Sequence, residues 1–229
     1  MVVINIPIEQ KSQPDSRTLA SKTYEDIKAD IVQGIIPQGA KIVESDLALK
    51  YGISRGPLRE AIHRLEQIKL IIRVPHAGSK VVTLDSKTVK DIYQARESLE
   101  GMASRLAAKL MSQEEIDSLL TLLETHQKTI HQSEGHVYFQ SEGDIDFHYR
   151  IATASRNSWI LEKLNGELYQ LIRMCRLQLL KIRSNPHTAL EQHRQIALAI
   201  ANHDEELAEI LMRRHISGAW KILEPLLET

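Results

Sequence analysis

The sequence of 229 residues predicts a mainly α-helical chain in which a short N-terminal helical unit with a β-hairpin precedes a longer all-helical bundle. Three observations predict this order. Two short helical segments meet at a glycine-containing turn, Tyr51–Ile53, and a stretch rich in β-branched residues follows at 71–83. From Asp85 onward, apolar residues recur about every 3.6 residues, which is the spacing of an amphipathic helix.

The composition is that of an ordinary globular protein, with 42% apolar and 26% charged residues. Cys175 is the only cysteine, which excludes a disulfide within the chain. No basic segment leads into an apolar run at the N-terminus, and no stretch of about 18 uninterrupted apolar residues occurs. We therefore expect a cytoplasmic protein that neither spans a membrane nor is secreted.

The first predicted element is a flexible arm, because residues 1–16 contain Pro7 and Pro14 and show no periodicity. A helix is then predicted over Thr18–Gly34, since apolar residues recur at helical spacing and the glycine- and proline-containing stretch 34–39 ends them. The residues at this spacing are Leu19, Tyr24, Ile27, Ile31 and Ile35.

Two short helices follow, over Glu44–Lys50 and Ser54–Ile68. Gly52 suits the left-handed position at which a tight turn between helices begins. Ser54 is a good N-cap residue, and Pro57 falls in the first turn, where its missing N–H costs little. A helix, a tight turn and a second helix in this order form a helix-turn-helix.

A hairpin is predicted next, with strands around Ile71–Val74 and Val81–Thr83 and a turn that contains Gly78. Together these elements predict a winged helix-turn-helix over 17–84. Six helices are predicted after it, within an all-helical domain over 85–229. Ser112 and Glu115 form a capping box at the start of the second of them. The predicted ranges are 86–111, 113–132, 137–155, 158–182, 187–203 and 205–227.

The second short helix has the character of a DNA recognition helix, with an apolar face opposite a face of long polar side chains. Arg55 and Arg59 share that face and can reach guanine edges or phosphates. The region up to Val82 has 12 basic and 9 acidic residues, a surplus of 3, which is consistent with DNA contact. A solvated helix face is the alternative for any single arginine, but the order of the elements favours DNA. The remaining candidates for contact are Ser54, His63, Arg64, His76, Gly78 and Lys80.

Residues 47–62, LALKYGISRGPLREAI, resemble the helix-turn-helix of the GntR family of bacterial transcription regulators, and Pro37–Gly39 and Gly78 also lie at family positions. The resemblance implies that Arg55 and Arg59 contact double-stranded operator DNA. Ser45 departs from the family, because some members have a basic DNA-contacting residue there. The operator sequence therefore does not carry over.

The C-terminal region has a group of residues that could bind a metal. Asp144 and His148 are one helical turn apart, and His193 and His215 lie mid-helix among aliphatic residues. Three imidazoles and a carboxylate suit Zn²⁺, Ni²⁺, Fe²⁺ or Mn²⁺. A histidine on a helix is more often structural or exposed, so spacing alone leaves both interpretations open. Five further histidines are interpreted as surface residues: His126, His131, His136, His187 and His203.

Residues from about 86 to 225 resemble the FadR-type helical ligand-binding domain, called FCD. Metal-binding members of this subfamily have a D-x-x-F-H motif and two later histidines, which match Asp144, His148, His193 and His215. The resemblance implies a divalent metal, with zinc expected first. It also implies that an arginine near Arg96 lines an effector pocket, with Tyr93 and Arg173 as further candidates. An ion pair of Arg96 with Glu97 or Glu100 is an equally good interpretation.

The hypothesis favoured by these patterns is a homodimeric repressor that binds a pseudo-palindromic operator and responds to a small organic acid at the metal site. Two alternatives remain open. One is a regulator with a structural metal or none, which senses a larger acyl ligand. The other is a helical metalloenzyme, although the paired E-x-x-H motifs of di-iron bundles are absent.

Overall fold

The computed structural model describes residues 18–132, 143–179 and 186–227, which form helices, one β-hairpin and the connections between them. The predicted N-terminal arm, 1–16, lies outside the described residues. The chain is mainly helical, with a winged helix-turn-helix followed by a helical bundle, as predicted. The elements are α1 (Leu19–Val32), α2 (Glu44–Tyr51), α3 (Arg55–Gln67), β1 (Ile71–Val74), β2 (Gly78–Val81), α4 (Ser86–Leu110), α5 (Gln113–Gln132), α6 (Gly143–Ala154), α7 (Ser158–Lys163), α8 (Tyr169–Leu179), α9 (Pro186–Ala201) and α10 (Glu205–Leu227).

The helix-turn-helix forms where α2 ends and α3 begins. Gly52 has a left-handed backbone with φ of 64°, as predicted for the turn. Ser54 occupies the N-cap position of α3, but its side chain makes no capping hydrogen bond. The buried face of α3 packs against α1, with Leu58 and Leu65 fully enclosed.

Two residues of the predicted apolar face of α1 are exposed, Leu19 by 55% and Ile35 by 60%. Leu19 lies in the first turn of α1. Ile35 lies beyond the end of the helix, because Gly34 has φ of 81° and turns the chain away. The interior of α1 is buried as predicted, at Ile27 and Ile31.

The hairpin is antiparallel, with Ile71 opposite Val81 and Val74 opposite Gly78. An isolated bridge joins Lys41 to Lys80 and ties the hairpin to the segment before α2. The tip, 75–77, is exposed. The hairpin is therefore held at its base and projects beside α3.

The bundle is built around two long antiparallel helices, α4 and α10. Tyr93 near the start of α4 meets Trp220 near the end of α10, with ring centroids 6.0 Å apart. Further along, a Cβ added at Gly101 would lie 2.8 Å from Cγ of Arg213, so the helices approach closely there. The other helices of the bundle pack around this pair, with α6 on α4, α5 on α9 and α9 on α10.

The predicted capping box at the start of α5 is confirmed. The Ser112 amide donates to Oε2 of Glu115 at 3.0 Å, and the Glu115 amide donates to Oγ of Ser112 at 3.3 Å. Asn157 also caps α7, because its Oδ1 accepts from the amides of Trp159 and Ile160. These side chains satisfy backbone groups that a helix start leaves without partners.

The prediction of one continuous α-helix over 158–182 is wrong. A π-helical turn, Leu164–Leu168, separates α7 from α8. The end of that prediction, 180–182, lies outside the described residues. So does the start of the helix predicted over 137–155, which is described as α6 from Gly143. A π-helical turn inside an α-helix often marks a functional site.

Helix α8 also contacts α1, which joins the bundle to the N-terminal unit. Between them lies a small cavity lined by Glu25, Lys28 and Gln33 from α1 and its C-cap, and by Gln170 and Arg173 from α8. No helix among the described residues is long and apolar enough to cross a membrane.

Candidate functional site

The outward face of α3 carries Arg55, Arg59 and His63, which are all exposed. Their spacing of four residues places them along one side of the helix. Beside His63, a groove of about 1030 Å³ including its open mouth runs between α3 and the hairpin, and Gly78 and Ser79 form its far wall. The recognition helix and the hairpin therefore border one continuous surface.

Acidic side chains share this surface. Glu44 at the start of α2 pairs with Arg59, with Nε to Oε2 at 2.8 Å. Glu66 accepts a hydrogen bond from Ser79 at 2.9 Å and lies 4.0 Å from Nε of Arg73. Arg73 is 80% exposed on the hairpin and was not among the residues predicted from the sequence. The sequence signal that could have identified it is a single basic residue within the otherwise apolar strand Ile71–Val74.

Arg64 does not lie on the outward face of α3. Its guanidinium carbon lies 4.0 Å from the ring centroid of Tyr24, and Nη1 donates to Oγ of Ser21 at 3.2 Å. Both partners belong to α1. Arg64 therefore holds α3 against α1, and its contact with the DNA backbone stays a prediction.

The hairpin residues predicted to reach DNA have different positions. His76 is exposed at the tip with φ of 63°, and Gly78 follows with φ of 85°. Lys80 is half-buried in the ladder, where it pairs with Ile72 and bridges to Lys41. His76 is therefore the better placed of the two side chains to meet a groove or a phosphate.

Three predicted metal ligands come together in the bundle. His148 of α6, His193 of α9 and His215 of α10 each offer one ring nitrogen, and these nitrogens all lie within 4.8 Å of one another. Nε2 of His193 is 3.2 Å from Nε2 of His215. Phe147 stacks on His193 with centroids 4.1 Å apart and closes one side of the cluster.

Two neighbours orient these rings. Nδ1 of His215 lies 2.8 Å from Oε1 of Gln192, an acceptor that favours the proton on Nδ1, while Nε2 of His215 faces the cluster. Oε2 of Glu100 lies 2.5 Å from Nδ1 of His148, which is the distance of an ion pair. Burial raises the pKa of Glu100, but the charges of Arg96 and His148 outweigh it and lower this pKa to about 2. Glu100 is therefore a carboxylate.

The fourth predicted ligand is Asp144. It lies in the first turn of α6, one helical turn before His148. Its side chain lies outside the described residues, so its place in the cluster stays a prediction. The observed donor set of three imidazoles, with acceptors behind two of them, fits a divalent transition metal.

A cavity opens beside His148, with about 390 Å³ of space free of protein atoms, including its mouth. Arg96, Glu100 and His148 form its polar end. Arg96 is buried, and its Nε donates a hydrogen bond to Glu100 at 2.6 Å. Arg96 therefore has both of the roles considered from the sequence: it forms an ion pair with Glu100, and it lines the cavity. Among the described residues, its Nη1 has no hydrogen-bond partner. The remaining walls come from Tyr149, Ala152, Leu164, Asn165, Tyr169, Ile172 and Arg176.

Tyr93 and Arg173 do not line this cavity. Tyr93 is buried against Trp220, and its ring lies 5.1 Å from the guanidinium of Arg96, so it positions that arginine. Arg173 faces the separate cavity between α1 and α8. Arg176, which does line the cavity, was not predicted. Another correction concerns His126, which is only 5% exposed on the inner face of α5 and not a surface residue.

A winged helix-turn-helix with an exposed basic recognition helix, joined to a helical bundle, defines the class of a DNA-binding transcription regulator. Comparison with known families agrees. Residues 19–81 match the model of bacterial regulatory proteins of the gntR family, and residues 91–218 match the model of the FCD domain. The chain belongs to the GntR family and has an FCD domain, consistent with the FadR-type subfamily. This is a family of DNA-binding transcriptional regulators and not of enzymes.

Its relatives are similar over most of their length. An uncharacterized HTH-type transcriptional regulator, YdhC of Bacillus subtilis, is 29% identical, with 90% of this chain and 91% of that protein covered. The probable D-xylose utilization operon transcriptional repressor of Paenarthrobacter nicotinovorans is 28% identical, with coverage of 88% and 87%. The solved structure of E. coli McbR/YncC has the same fold, with a TM-score of 0.72, 23% identity and coverage of 91% and 98%.

Proposed function

We propose that this regulator is a repressor that binds a pseudo-palindromic operator as a homodimer and responds to a small organic acid at a metal site in its FCD domain. The observation that carries the proposal is the convergence of His148, His193 and His215, together with the position of His148 at the polar end of a cavity that Arg96 also lines. A cation held by these histidines would lie near the Arg96 guanidinium, and both would attract a carboxylate.

The proposed metal is a divalent transition ion. Zn²⁺ is the first choice, and Ni²⁺, Fe²⁺ and Mn²⁺ are the alternatives that imidazole ligands also bind. His148, His193 and His215 would hold it, with Asp144 as the proposed fourth ligand. When bound, such an ion supplies a Lewis-acidic position for an anionic oxygen. Gln192 favours the tautomer of His215 in which Nε2 can bind the metal.

Arg96 orients the effector's carboxylate. Its Nε is engaged by Glu100, and its Nη1 remains for a ligand at the cavity wall. The cavity leaves only about 30 Å³ for the centre of a water-sized sphere, which is room for a few small groups. This favours a small acid over an acyl-CoA, the alternative ligand considered from the sequence.

On the DNA side, Arg55 and Arg59 are proposed to contact the operator, with Ser54, His63, His76 and Gly78 near the backbone. A single recognition helix contacts only a few base pairs. The two DNA-binding domains of a dimer, bound to a two-fold symmetric operator, supply the remaining affinity. A repressor of this kind works beside the chromosome, in the cytoplasm. Sedimentation of the protein as a monomer at concentrations that saturate the operator would contradict the dimer.

The metal is tested by elemental analysis of protein purified without chelator, for the unaltered chain and for His193→Ala. We expect about one transition ion per chain in the former and loss of most of it in the variant, because His193 is fully buried in the cluster. A chelator should lower the melting temperature of the unaltered protein only. Absence of any transition ion, with no stabilisation on adding Zn²⁺, would contradict the metal site.

DNA binding is tested by fluorescence anisotropy with DNA from upstream of the protein's own gene, at several salt concentrations. We expect Arg59→Ala to bind at least about tenfold more weakly. Lys128→Ala, which removes the same charge from the exposed face of α5, should bind like the unaltered protein. Equal losses in both variants would indicate a general charge effect and would contradict the assignment of Arg59.

A further inference from the structure

The hairpin is extended by a third backbone segment, which runs antiparallel to β2. Segment 40–42 pairs with segment 79–81 through two backbone hydrogen bonds, of 2.8 and 2.9 Å, that flank the bridged residues Lys41 and Lys80. A pair flanked in this way is of the non-hydrogen-bonded type, in which the Cα atoms are about 4.5 Å apart and the side chains are closest. The side chains of Lys41 and Lys80 therefore begin next to one another on one face.

This lysine pair faces away from the recognition helix. Ile42 and Ser79, the chain neighbours of the two lysines, line the groove between α3 and the hairpin, and Oγ of Ser79 donates to Glu66 of α3. Because successive side chains of an extended segment point to opposite faces, Lys41 and Lys80 lie on the other face. Lys41 is exposed, and Lys80 is half-buried. We call the face that carries these two lysines the back of the hairpin.

The two faces of the hairpin differ in how their positive charge is compensated. In the groove, Arg59 pairs with Glu44 at 2.8 Å, and Arg73 lies 4.0 Å from Glu66. On the back, neither lysine forms an ion pair with any residue that the structure describes. Like charges directly opposite each other in paired strands are destabilising. The back of the hairpin is therefore a concentration of positive charge that an anion would stabilise.

The position of the lysine pair favours the DNA backbone as this anion. Lys41 is three residues before Glu44, which lines the groove beside Arg59, and Lys80 is two residues after Gly78, which forms the far wall. An extended residue advances about 3.3 Å, so the pair begins roughly 7–10 Å from the DNA-reading surface. The flexible four-carbon stem of a lysine covers much of that distance. When α3 lies in a major groove, the back of the hairpin is directed at the phosphates beyond the hairpin.

We propose that Lys41 contacts the phosphate backbone of the operator on the side of the hairpin that faces away from α3, with Lys80 adding positive charge beside it. The proposal rests on the DNA binding of the proposed function and is independent of the metal and the effector. It adds a contact outside the recognition helix and the hairpin tip. This contact contributes affinity without sequence preference, because phosphates are the same at every base pair.

The salt dependence of DNA binding tests this contact. Each phosphate that a cationic side chain neutralises contributes about 0.9 to the slope of log K against log salt concentration. We expect Lys41→Gln to reduce that slope by about one and to weaken binding about fivefold at about 0.15 M salt. The measurement is fluorescence anisotropy with DNA from upstream of the protein's own gene and with a random duplex of equal length. Both duplexes should lose the same factor.

Three comparisons make the test specific. Lys109→Gln removes the same charge from the exposed last turn of α4 and should keep the slope and the affinity of the unaltered protein. Lys41→Arg keeps the charge at position 41 and should also keep both. Lys41→Gln should melt no lower than the unaltered protein, because the substitution removes repulsion from Lys80.

The outcomes separate this contact from the proposed function. An unchanged slope in Lys41→Gln, an equal loss in Lys109→Gln, or a loss confined to the upstream DNA would overturn the contact and leave the roles of Arg55 and Arg59 standing. A loss that Lys41→Arg shares would indicate a structural role for Lys41 and would also overturn it. If the unaltered chain shows no salt-dependent binding to either duplex, the DNA-binding part of the proposed function fails, and this contact fails with it.

Discussion

Replacement of Gln192 by leucine tests how far the histidine cluster depends on the residues behind it. Oε1 of Gln192 lies 2.8 Å from Nδ1 of His215, and His215 is itself 7% exposed. Without that acceptor, nothing favours the proton on Nδ1 of His215 over Nε2. A proton on Nε2 would prevent this nitrogen from binding a metal. Loss of such a partner lowers metal affinity by about 10- to 100-fold. Gln192 is half-buried, so water can partly replace it, and we expect the lower end, about tenfold or ~1.4 kcal/mol.

The measurement is competition for Zn²⁺ between the protein and a chromophoric chelator of known affinity. Gln195→Leu is the matched control, since Gln195 lies on the exposed side of the same helix and contacts only Glu191 among the polar contacts described. Its zinc affinity should equal that of the unaltered chain. A change of less than about twofold in Gln192→Leu, or an equal change in both variants, would refute the proposed role of Gln192.

Three other outcomes are expected. Glu44→Gln should tighten operator binding by about 2- to 5-fold in anisotropy titrations, because Arg59 is freed from an exposed ion pair; weaker binding would contradict this. Ser112→Ala should lower the free energy of unfolding by about 1 kcal/mol in urea titrations, since it breaks the capping box, and no change would mean that water caps α5 equally well. Gly101→Ala should cost about 1–3 kcal/mol in the same assay, because its Cβ would meet the stem of Arg213 at 2.8 Å; unaltered stability would show that this side chain moves aside freely.

The parts of the fold that the sequence predicted are those set by local chemistry. Gly52 adopts the left-handed turn that its lack of a Cβ allows, and the reciprocal bonds of Ser112 and Glu115 begin α5 as their spacing requires. The convergence of His148, His193 and His215 was expected from a family pattern. Their distance in sequence gave no independent indication of it.

The parts that were missed depend on tertiary packing. His126 was interpreted as exposed, yet it follows Leu119 and Leu123 at helical spacing on the buried face of α5, a signal that could have been used. The charge of Arg64 was considered without Tyr24, which lies 40 residues earlier and stacks under it. The position of Gln192 behind His215 cannot be deduced before the helices are packed.

The π-helical turn at Leu164–Leu168 shifts the rotational phase of everything that follows it in the helix. One extra residue in a turn rotates the later side chains by about 100° relative to an uninterrupted α-helix, since an α-helix advances 3.6 residues per turn. With this offset, α8 presents Arg176 to the cavity and Arg173 to α1. If the same residues formed a regular α-helix, the wrong side of α8 would face each neighbour, whereas deleting one residue from the turn would leave the orientation of α8 unchanged. The widened turn therefore sets which arginine faces the cavity and which faces α1.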